Sequence, residues 1–144
     1  MQAICPFHLA LPVSDLAAAR RFYGDLLGCA EGRCTEHWVD FDFHGHQLVC
    51  HLHETGHGRA PLHSEVDHDQ VPVPHFGLVL GMDEWRTLRD RLIEAGTDFV
   101  IEPRVRFAGQ VGEQATMFLL DPAGNALEFK AFADPSRLFA RHGA

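Results

Sequence analysis

Several features are missing from this sequence, and each absence removes a class of protein. No apolar run approaches the roughly 18 residues that a membrane-spanning helix needs. Positive charge is scarce: 12 Lys and Arg stand against 20 Asp and Glu, and the formal charge of −8 disfavours nucleic acid and anionic membranes as partners. A glycine-rich phosphate loop, a nucleophile elbow and zinc-finger spacing are also absent. We therefore expect a globular protein that has neither nucleic acid nor a membrane as its partner.

Cysteine is sparse as well. The four cysteines, Cys5, Cys29, Cys34 and Cys50, form no C-x-x-C pair, and the N-terminal residues show neither a basic region nor a long apolar stretch of a signal peptide. We therefore expect reduced thiols and a cytoplasmic location, with Cys5 and Cys50 in the core. At 144 residues with 46% hydrophobic content, the chain is expected to form one domain, 1–144.

The same order of elements occurs twice along the chain. In each half, a strand beginning near a histidine precedes an amphipathic helix that stops at a glycine, 20 residues after His8 and 21 residues after His75. The first half has predicted strands at 6–13, 29–34, 38–43 and 47–52 and a helix at 16–27; the second has strands at 75–80, 98–102, 115–120 and 127–132 and a helix capped by Asp83. A repeated βαβββ unit predicts an α+β fold: two modules, about 4–53 and 74–132, forming an open barrel-like sheet with a central cleft.

Two segments fit neither repeat. Residues 54–73 are rich in Gly, His, Asp and Pro and have no period, which predicts a long loop joining the modules. The second half also has extra length at 103–114, which contains Arg104, Arg106 and Glu113. These three residues are candidates for clamping an anionic substrate or for closing as a lid. The alternative is an ordinary solvated loop.

Three polar residues occupy one face of the predicted sheets. Because side chains alternate along a strand, His8 and His75 lie on the face away from the helices, at matching positions of the two halves. Glu128 also points away from its apolar neighbours, and a buried carboxylate needs a partner or a metal. Two histidines and one carboxylate form the facial triad of mononuclear iron, which predicts Fe²⁺, with Mn²⁺, Ni²⁺, Zn²⁺ or Co²⁺ as alternatives. Taken singly, each histidine is an ordinary core or surface residue.

The sequence resembles a known superfamily over nearly its whole length. The resemblance rests on His8 and on the stretches Phe22–Gly28, Val73–Gly77 and Asp121–Phe129. They are similar to the vicinal oxygen chelate superfamily, which includes glyoxalase I, fosfomycin-resistance transferases, bleomycin-resistance proteins and extradiol dioxygenases. Within it, the stretch Gly112–Pro122 most resembles small single-domain proteins predicted to be extradiol-type dioxygenases.

The resemblance implies paired βαβββ modules, a metal bound by His8, His75 and Glu128, and a small substrate with vicinal oxygens. It leaves open whether the modules pair within one chain or across a homodimer. We expect a metal-dependent enzyme, first of all an extradiol-type dioxygenase. The alternatives are a glyoxalase-like isomerase or lyase, or a thiol transferase, on the same site. A metal-free drug-binding protein is a further alternative, although such members typically lack the triad.

Two positions depart from better-known members of the superfamily. Glyoxalase I uses a fourth protein ligand, and aligning Gly45 with Gly124 puts Val49 at that position, which favours a three-ligand site. His51, two residues on and on the same face, is the candidate acid–base residue. Ring-cleaving dioxygenases carry a tyrosine and a histidine beside the iron, whereas the single tyrosine here, Tyr23, lies on a helix where core packing is predicted.

Overall fold

A computed structural model describes residues 3–56 and 62–141. These residues divide into two compact units, one comprising 3–56 with 121–125 and the other 62–120 with 126–141. Each unit contains a four-stranded sheet and one long helical segment. The predicted α+β class and the two βαβββ modules are confirmed. None of the helices among the described residues is long and apolar enough to cross a membrane.

The first module begins with β1 (His8–Val13) and the helix α1 (Leu16–Ala19), which continues as a π-helical stretch over Arg20–Leu26. Asp15 caps this helix by accepting a hydrogen bond from the Ala18 amide at 3.0 Å. The strands β2 (Ala30–Cys34), β3 (Trp38–Phe43) and β4 (His46–Leu52) complete a sheet of order β1-β4-β3-β2, in which β1 runs parallel to β4.

A hairpin of β5 (Leu62–Val66) and β6 (Asp69–Val73) precedes the second module. The predicted long loop over 54–73 is therefore wrong for 62–73. The reason lies in the turn, where Asp67 and His68 take positive φ angles of 49° and 72°. Such a turn is ordinarily marked by Asn-Gly or Asp-Gly, and the Asp-His pair hides that signal in the sequence.

The second module contains β7 (Phe76–Leu80), α2 (Met82–Glu94), β8 (Phe99–Arg106), β9 (Gln114–Leu120) and β10 (Ala126–Phe132), in the sheet order β7-β10-β9-β8. The helix begins after Gly81, so Asp83 lies in its first turn and is not the cap. Trp85 is fully buried and donates its indole N–H to the Phe129 carbonyl at 2.9 Å. A short 3₁₀ helix, Pro135–Phe139, follows β10.

The strand register makes the two modules equivalent residue by residue. In the first, Ala10 of β1 pairs with Val49 of β4, and in the second, Gly77 of β7 pairs with Glu128 of β10. Ala10 lies two residues after His8, and Gly77 lies two residues after His75. Val49 is thus the counterpart of Glu128, as the alignment of the turn glycines predicts. Those glycines, at 45 and 124, both have positive φ angles, 85° and 90°.

Candidate functional site

The centre of the candidate site is a histidine–carboxylate pair in the second module. His75 directly precedes β7, Glu128 lies in β10, and the His75 Nε2 and Glu128 Oε2 atoms are 3.1 Å apart. Both side chains are partly covered, with 28% of His75 and 15% of Glu128 exposed. The structure thus brings together two of the three predicted metal ligands.

Each member of this pair is held by a second hydrogen bond. His75 Nδ1 lies 2.7 Å from the backbone carbonyl oxygen of Pro72. Because a carbonyl only accepts, Nδ1 carries the hydrogen and the neutral ring keeps a lone pair on Nε2. Thr116 donates its hydroxyl to Oε1 of Glu128 at 3.0 Å, and the ring of Phe118 stands edge-on to the imidazole. The atoms left facing each other are therefore Nε2 and Oε2.

This donor set fits a divalent metal ion. A neutral Nε2 and a carboxylate oxygen are both acceptors, so their contact requires a proton or a cation between them. Two metal–ligand bonds of about 2.1 Å at a right angle would place the ligand atoms about 3.0 Å apart. Metal-binding histidines ordinarily donate their other ring N–H to a carbonyl or carboxylate, as His75 does to Pro72. The pair therefore has the chemistry and spacing of two neighbouring ligands of one ion.

His8, the third predicted ligand, is held in the same way within the first module. Its Nδ1 lies 2.8 Å from Oε1 of Gln47, whose amide nitrogen donates to Oδ2 of Asp40 at 3.2 Å. A carboxylate only accepts, so the bond to Asp40 fixes which way the Gln47 amide points. His8 Nδ1 is then the donor, and its Nε2 lone pair stays available on the exposed side of β1.

The complete ligand set and the acid–base residue stay predictions. Across residues 3–56 and 62–141, no group of three or more His, Cys, Asp or Glu side chains is close enough to hold one metal ion. His51 is exposed on β4, on the same face as Val49 and across from Trp38 of β3. Its position is compatible with a role toward a ligand on that face of the first module.

The His75–Glu128 pair lies in the wall of a cavity of about 220 Å³ within the second unit. Apolar side chains line one part of this wall, among them Ile101 and Phe118. Charged side chains from β8, β10 and the β5–β6 hairpin line another part, namely Arg104, Arg106, Lys130, Asp67 and Asp69. The site therefore combines a candidate metal pair with an apolar wall and a set of charges.

The two arginines of this cavity lie in a strand and not in a loop. The predicted insertion over 103–114 is shorter than expected because β8 continues to Arg106. Arg104 contacts Asp69, and Arg106 contacts Asp67. Sequence analysis singled out both arginines but missed both aspartates, since these fall in the segment predicted as a loop. Lys130 was also missed, although its position two residues after Glu128 places it on the same face.

The single tyrosine has a structural role, as predicted. Tyr23 is fully buried and donates its hydroxyl to Oδ2 of Asp121 at 2.7 Å. Burial, with the nearby negative charge of Asp121 as a second cause, raises the pKa of Tyr23 well above its ordinary value. Its hydroxyl therefore stays protonated. Asp121 also accepts hydrogen bonds from the backbone amides of Ala123 and Asn125, which closes the turn before β10.

The two buried cysteines do not supply a nucleophile. Cys50 and Cys29 are buried, and burial raises their pKa values to about 12 and about 11, so both thiols stay protonated at neutral pH. Cys50 is a core residue as predicted, but Cys5 is exposed, so its predicted burial is wrong. All four cysteines are free thiols.

Comparison with known proteins gives a family match and a set of similar structures. The model of the glyoxalase/bleomycin resistance protein/dioxygenase superfamily matches residues 6–129. A crystal structure of a glyoxalase/bleomycin resistance protein/dioxygenase from Alicyclobacillus acidocaldarius is 34% identical, with a TM-score of 0.71, and the match covers 94% of this chain and 96% of that one.

Two more distant structures share the fold. The fosfomycin resistance protein FosX from Listeria monocytogenes is 17% identical, with a TM-score of 0.65 and coverage of 96% and 99%. A virulence protein from Salmonella typhimurium is 22% identical, with a TM-score of 0.61 and coverage of 92% and 99%. No curated protein sequence matches the chain significantly. The extent of the family match settles the assignment: the chain belongs to the glyoxalase/bleomycin resistance protein/dioxygenase superfamily.

Proposed function

We propose that this protein is a metal-dependent enzyme acting on a small molecule with two neighbouring oxygen atoms, and that its reaction is of the extradiol dioxygenase type. The observation that carries the proposal is the contact between His75 Nε2 and Glu128 Oε2, with both partners fixed by further hydrogen bonds at a cavity wall. We assign His8 as the third ligand because its Nδ1 is engaged like that of His75. His51 is the proposed acid–base residue.

The roles of the surrounding residues follow from their contacts. The Pro72 carbonyl holds the tautomer of His75 that leaves Nε2 free, and Thr116 occupies Oε1 so that Glu128 binds through Oε2. Phe118 packs edge-on against the imidazole and so contributes to its position. A divalent ion bound here would supply Lewis-acid stabilisation of charge on substrate oxygens. Fe²⁺ is the ion we expect, and Mn²⁺, Ni²⁺, Zn²⁺ and Co²⁺ use the same donor types.

A second candidate is an isomerase, lyase or thiol transferase on the same residues, a reaction that needs no oxygen. One observation favours it: the single tyrosine is buried in a hydrogen bond with Asp121, so it is not placed to assist ring cleavage. The face where the resemblance would lead us to expect a tyrosine carries Thr116 and Phe118 instead.

Metal binding tests the site itself. We expect protein purified without chelator to hold about one metal ion per chain, and His8→Ala, His75→Ala and Glu128→Ala each to lower divalent metal affinity by 100-fold or more, since each removes a direct ligand. Thr116→Val should lower it about tenfold, the scale of a residue that supports a ligand. Inductively coupled plasma analysis and metal titration measure both effects, and circular dichroism verifies that each variant is folded.

An exposed histidine–carboxylate pair provides the matched control. His37 Nε2 lies 3.3 Å from Glu36, but both side chains are largely exposed, so His37→Ala should leave metal affinity unchanged. Metal well below one ion per chain with no uptake on titration would instead support a metal-free binding protein. With metal established, turnover of catechol-type substrates with and without oxygen separates the two enzyme candidates, because undiminished anaerobic turnover excludes a dioxygenase.

A further inference from the structure

The strand register orders the cavity wall into rows of cross-strand neighbours, two of which concern the candidate site. One row contains the cross-strand neighbours Ile101, Phe118 and Glu128, and the next contains Arg104, Thr116 and Lys130. Adjacent rows on one face are two residues apart, a distance of about 7 Å along a strand. The row that contains Arg104 and Lys130 is therefore next to the row that contains Glu128, with the two backbone rows about 7 Å apart.

The cations of this wall are balanced by carboxylates. Arg104 contacts Asp69, Arg106 contacts Asp67, and Lys130 Nζ lies 3.7 Å from Oε1 of Glu128. Three positive and three negative side chains therefore cancel. Because a divalent ion on Glu128 would neutralise that carboxylate and more, the cavity with metal bound would carry an excess of two positive charges. An anion is then the complementary ligand.

We infer that Arg104 and Lys130 bind a carboxylate of the substrate, and that Asp69 occupies Arg104 until the substrate arrives. This inference rests on the proposed function, which supplies the metal end of the ligand. An arginine binds a carboxylate through two parallel hydrogen bonds, so a substrate carboxylate can replace the contact that Asp69 makes. The substrate class is therefore a small molecule with two neighbouring oxygens at one end and a carboxylate at the other, facing the row of Arg104 and Lys130.

The Asp69 contact balances the charge of Arg104 while no ligand is bound. Asp69 lies at the start of β6, in the hairpin beside the cavity, and 26% of its side chain is exposed, against 40% for Arg104. An ion pair at this level of exposure contributes little to stability, so exchanging it for a ligand carboxylate costs little. The β5–β6 hairpin thus supplies a built-in competitor for the substrate anion.

A pair of probes that differ only in charge tests the inference. Catechol and 3,4-dihydroxybenzoate both carry vicinal oxygens, but only the second carries a carboxylate across the ring. Calorimetry on the Zn²⁺-loaded protein should show 3,4-dihydroxybenzoate binding about tenfold to 100-fold more tightly than catechol, the range for a hydrogen bond between charged groups. Arg104→Gln should remove most of this preference, lowering the affinity for 3,4-dihydroxybenzoate much more than the affinity for catechol. Asp69→Asn should increase the preference several-fold.

The control is Arg86→Gln, which removes an arginine that pairs with Asp83 on α2 and does not line the cavity. It should leave both affinities unchanged. Equal affinity for the two probes, or a preference that survives in folded Arg104→Gln, overturns the inference. Weaker binding of 3,4-dihydroxybenzoate by Asp69→Asn would show that Asp69 positions Arg104 and does not compete with the substrate carboxylate. This result would overturn the proposed replacement of Asp69 by the substrate. If Zn²⁺ does not bind, the proposed function fails, while benzoate binding to metal-free wild type and Arg104→Gln still reports on the carboxylate site.

Discussion

The two modules have the same sheet topology but place their carboxylates on different strands. In the first, the cross-strand neighbours are Ala10, Val49 and Asp40; in the second, the equivalent positions hold Gly77, Glu128 and Phe118. Asp40 is 8% exposed, accepts a hydrogen bond from Gln47 and lies 3.8 Å from an Arg33 nitrogen. Glu128 instead faces a histidine lone pair. Asp40 is thus held by hydrogen-bonding and charged protein groups, whereas Glu128 also faces an acceptor nitrogen, which is why we propose Glu128 and not Asp40 as a metal ligand.

The histidines of the two modules also depend on different supports. Gln47, directly beside His8, holds the ring of that histidine with its side chain. The register places Ala126 at the corresponding position beside His75, and alanine has no group that could do this. Instead, the Pro72 carbonyl, near the end of the β5–β6 hairpin, accepts the hydrogen bond from His75 Nδ1. The hairpin therefore compensates for a side chain that the second module lacks.

The largest expected effect on the second module is that of Gly77→Ala. A Cβ atom at Gly77 would overlap the backbone carbonyl of Glu128, so β7 and β10 would have to move apart. We expect a loss of about 3 kcal/mol or more in the free energy of unfolding, the upper range for overpacking, together with a large loss of metal affinity. Urea denaturation and metal titration measure the two effects.

The equivalent position in the first module is the control, because it already carries a Cβ atom. Ala10→Gly should cost only about 0.5–1 kcal/mol, the ordinary penalty for glycine in a strand. A Gly77→Ala variant as stable as Ala10→Gly, with metal affinity retained, would contradict the close approach of the two strands.

The sequence was most informative where the two halves repeat. The alternation of the strands and the glycine-closed turns were sufficient to predict the four-stranded units and to pair Val49 with Glu128. They also placed His75 and Glu128 on one face. Local rules carry this far because a strand side chain's face follows from its position in the sequence.

The sequence was least informative between the halves. Asp67 and His68 form the turn of a hairpin without a glycine, so residues 62–73 gave no strand signal. Without that hairpin, neither the Pro72 carbonyl behind His75 nor the Asp69 contact to Arg104 could be predicted. Contacts of this kind depend on how distant segments pack, which local patterns do not encode.

Copying the second module's carboxylate into the first sharpens the comparison. Val49→Glu would give the first module a histidine and a carboxylate at the positions of His75 and Glu128, so we expect divalent metal affinity to rise. Val49 is 6% exposed and pairs with Asp40, so the new carboxylate would be crowded and would face a like charge. We expect a loss of about 2 kcal/mol in the free energy of unfolding at neutral pH.

The double variant Val49→Glu/Asp40→Asn separates the effect of crowding from the effect of charge repulsion. Because Asp40→Asn removes the like charge, the double variant should lose about 1 kcal/mol less free energy of unfolding than the sum of the two single variants. A double-mutant cycle measures this coupling. Val49→Ala should cost about 0.5–2 kcal/mol and leave metal affinity nearly unchanged. A large loss of metal in Val49→Ala would mean that the two positions are not equivalent.

The smallest expected effect concerns the outer strands. In the first module, Arg20 pairs with Glu31 of β2 at 3.0 Å, and both side chains are more than a third exposed. The hydrogen bond from Arg20 lowers the pKa of Glu31. A lowered pKa means that this stabilisation is present above the ordinary glutamate pKa of about 4.3 and is lost as the pH falls through the folded-state value.

Glu31→Gln should therefore lower the free energy of unfolding by at most about 0.5 kcal/mol at pH 7, and the difference from wild type should shrink as the pH falls below about 4. In the second module, the corresponding outer strand β8 directs Arg104 into a cavity. Arg20 and Glu31 line no part of that cavity, so Glu31→Gln should leave the affinity for 3,4-dihydroxybenzoate unchanged, whereas Arg104→Gln lowers it. Glu31→Gln and Arg104→Gln change the net charge by one unit in opposite directions. Affinity changes of similar size and opposite sign would therefore mean that overall charge, and not the position of Arg104, sets the preference for the anion.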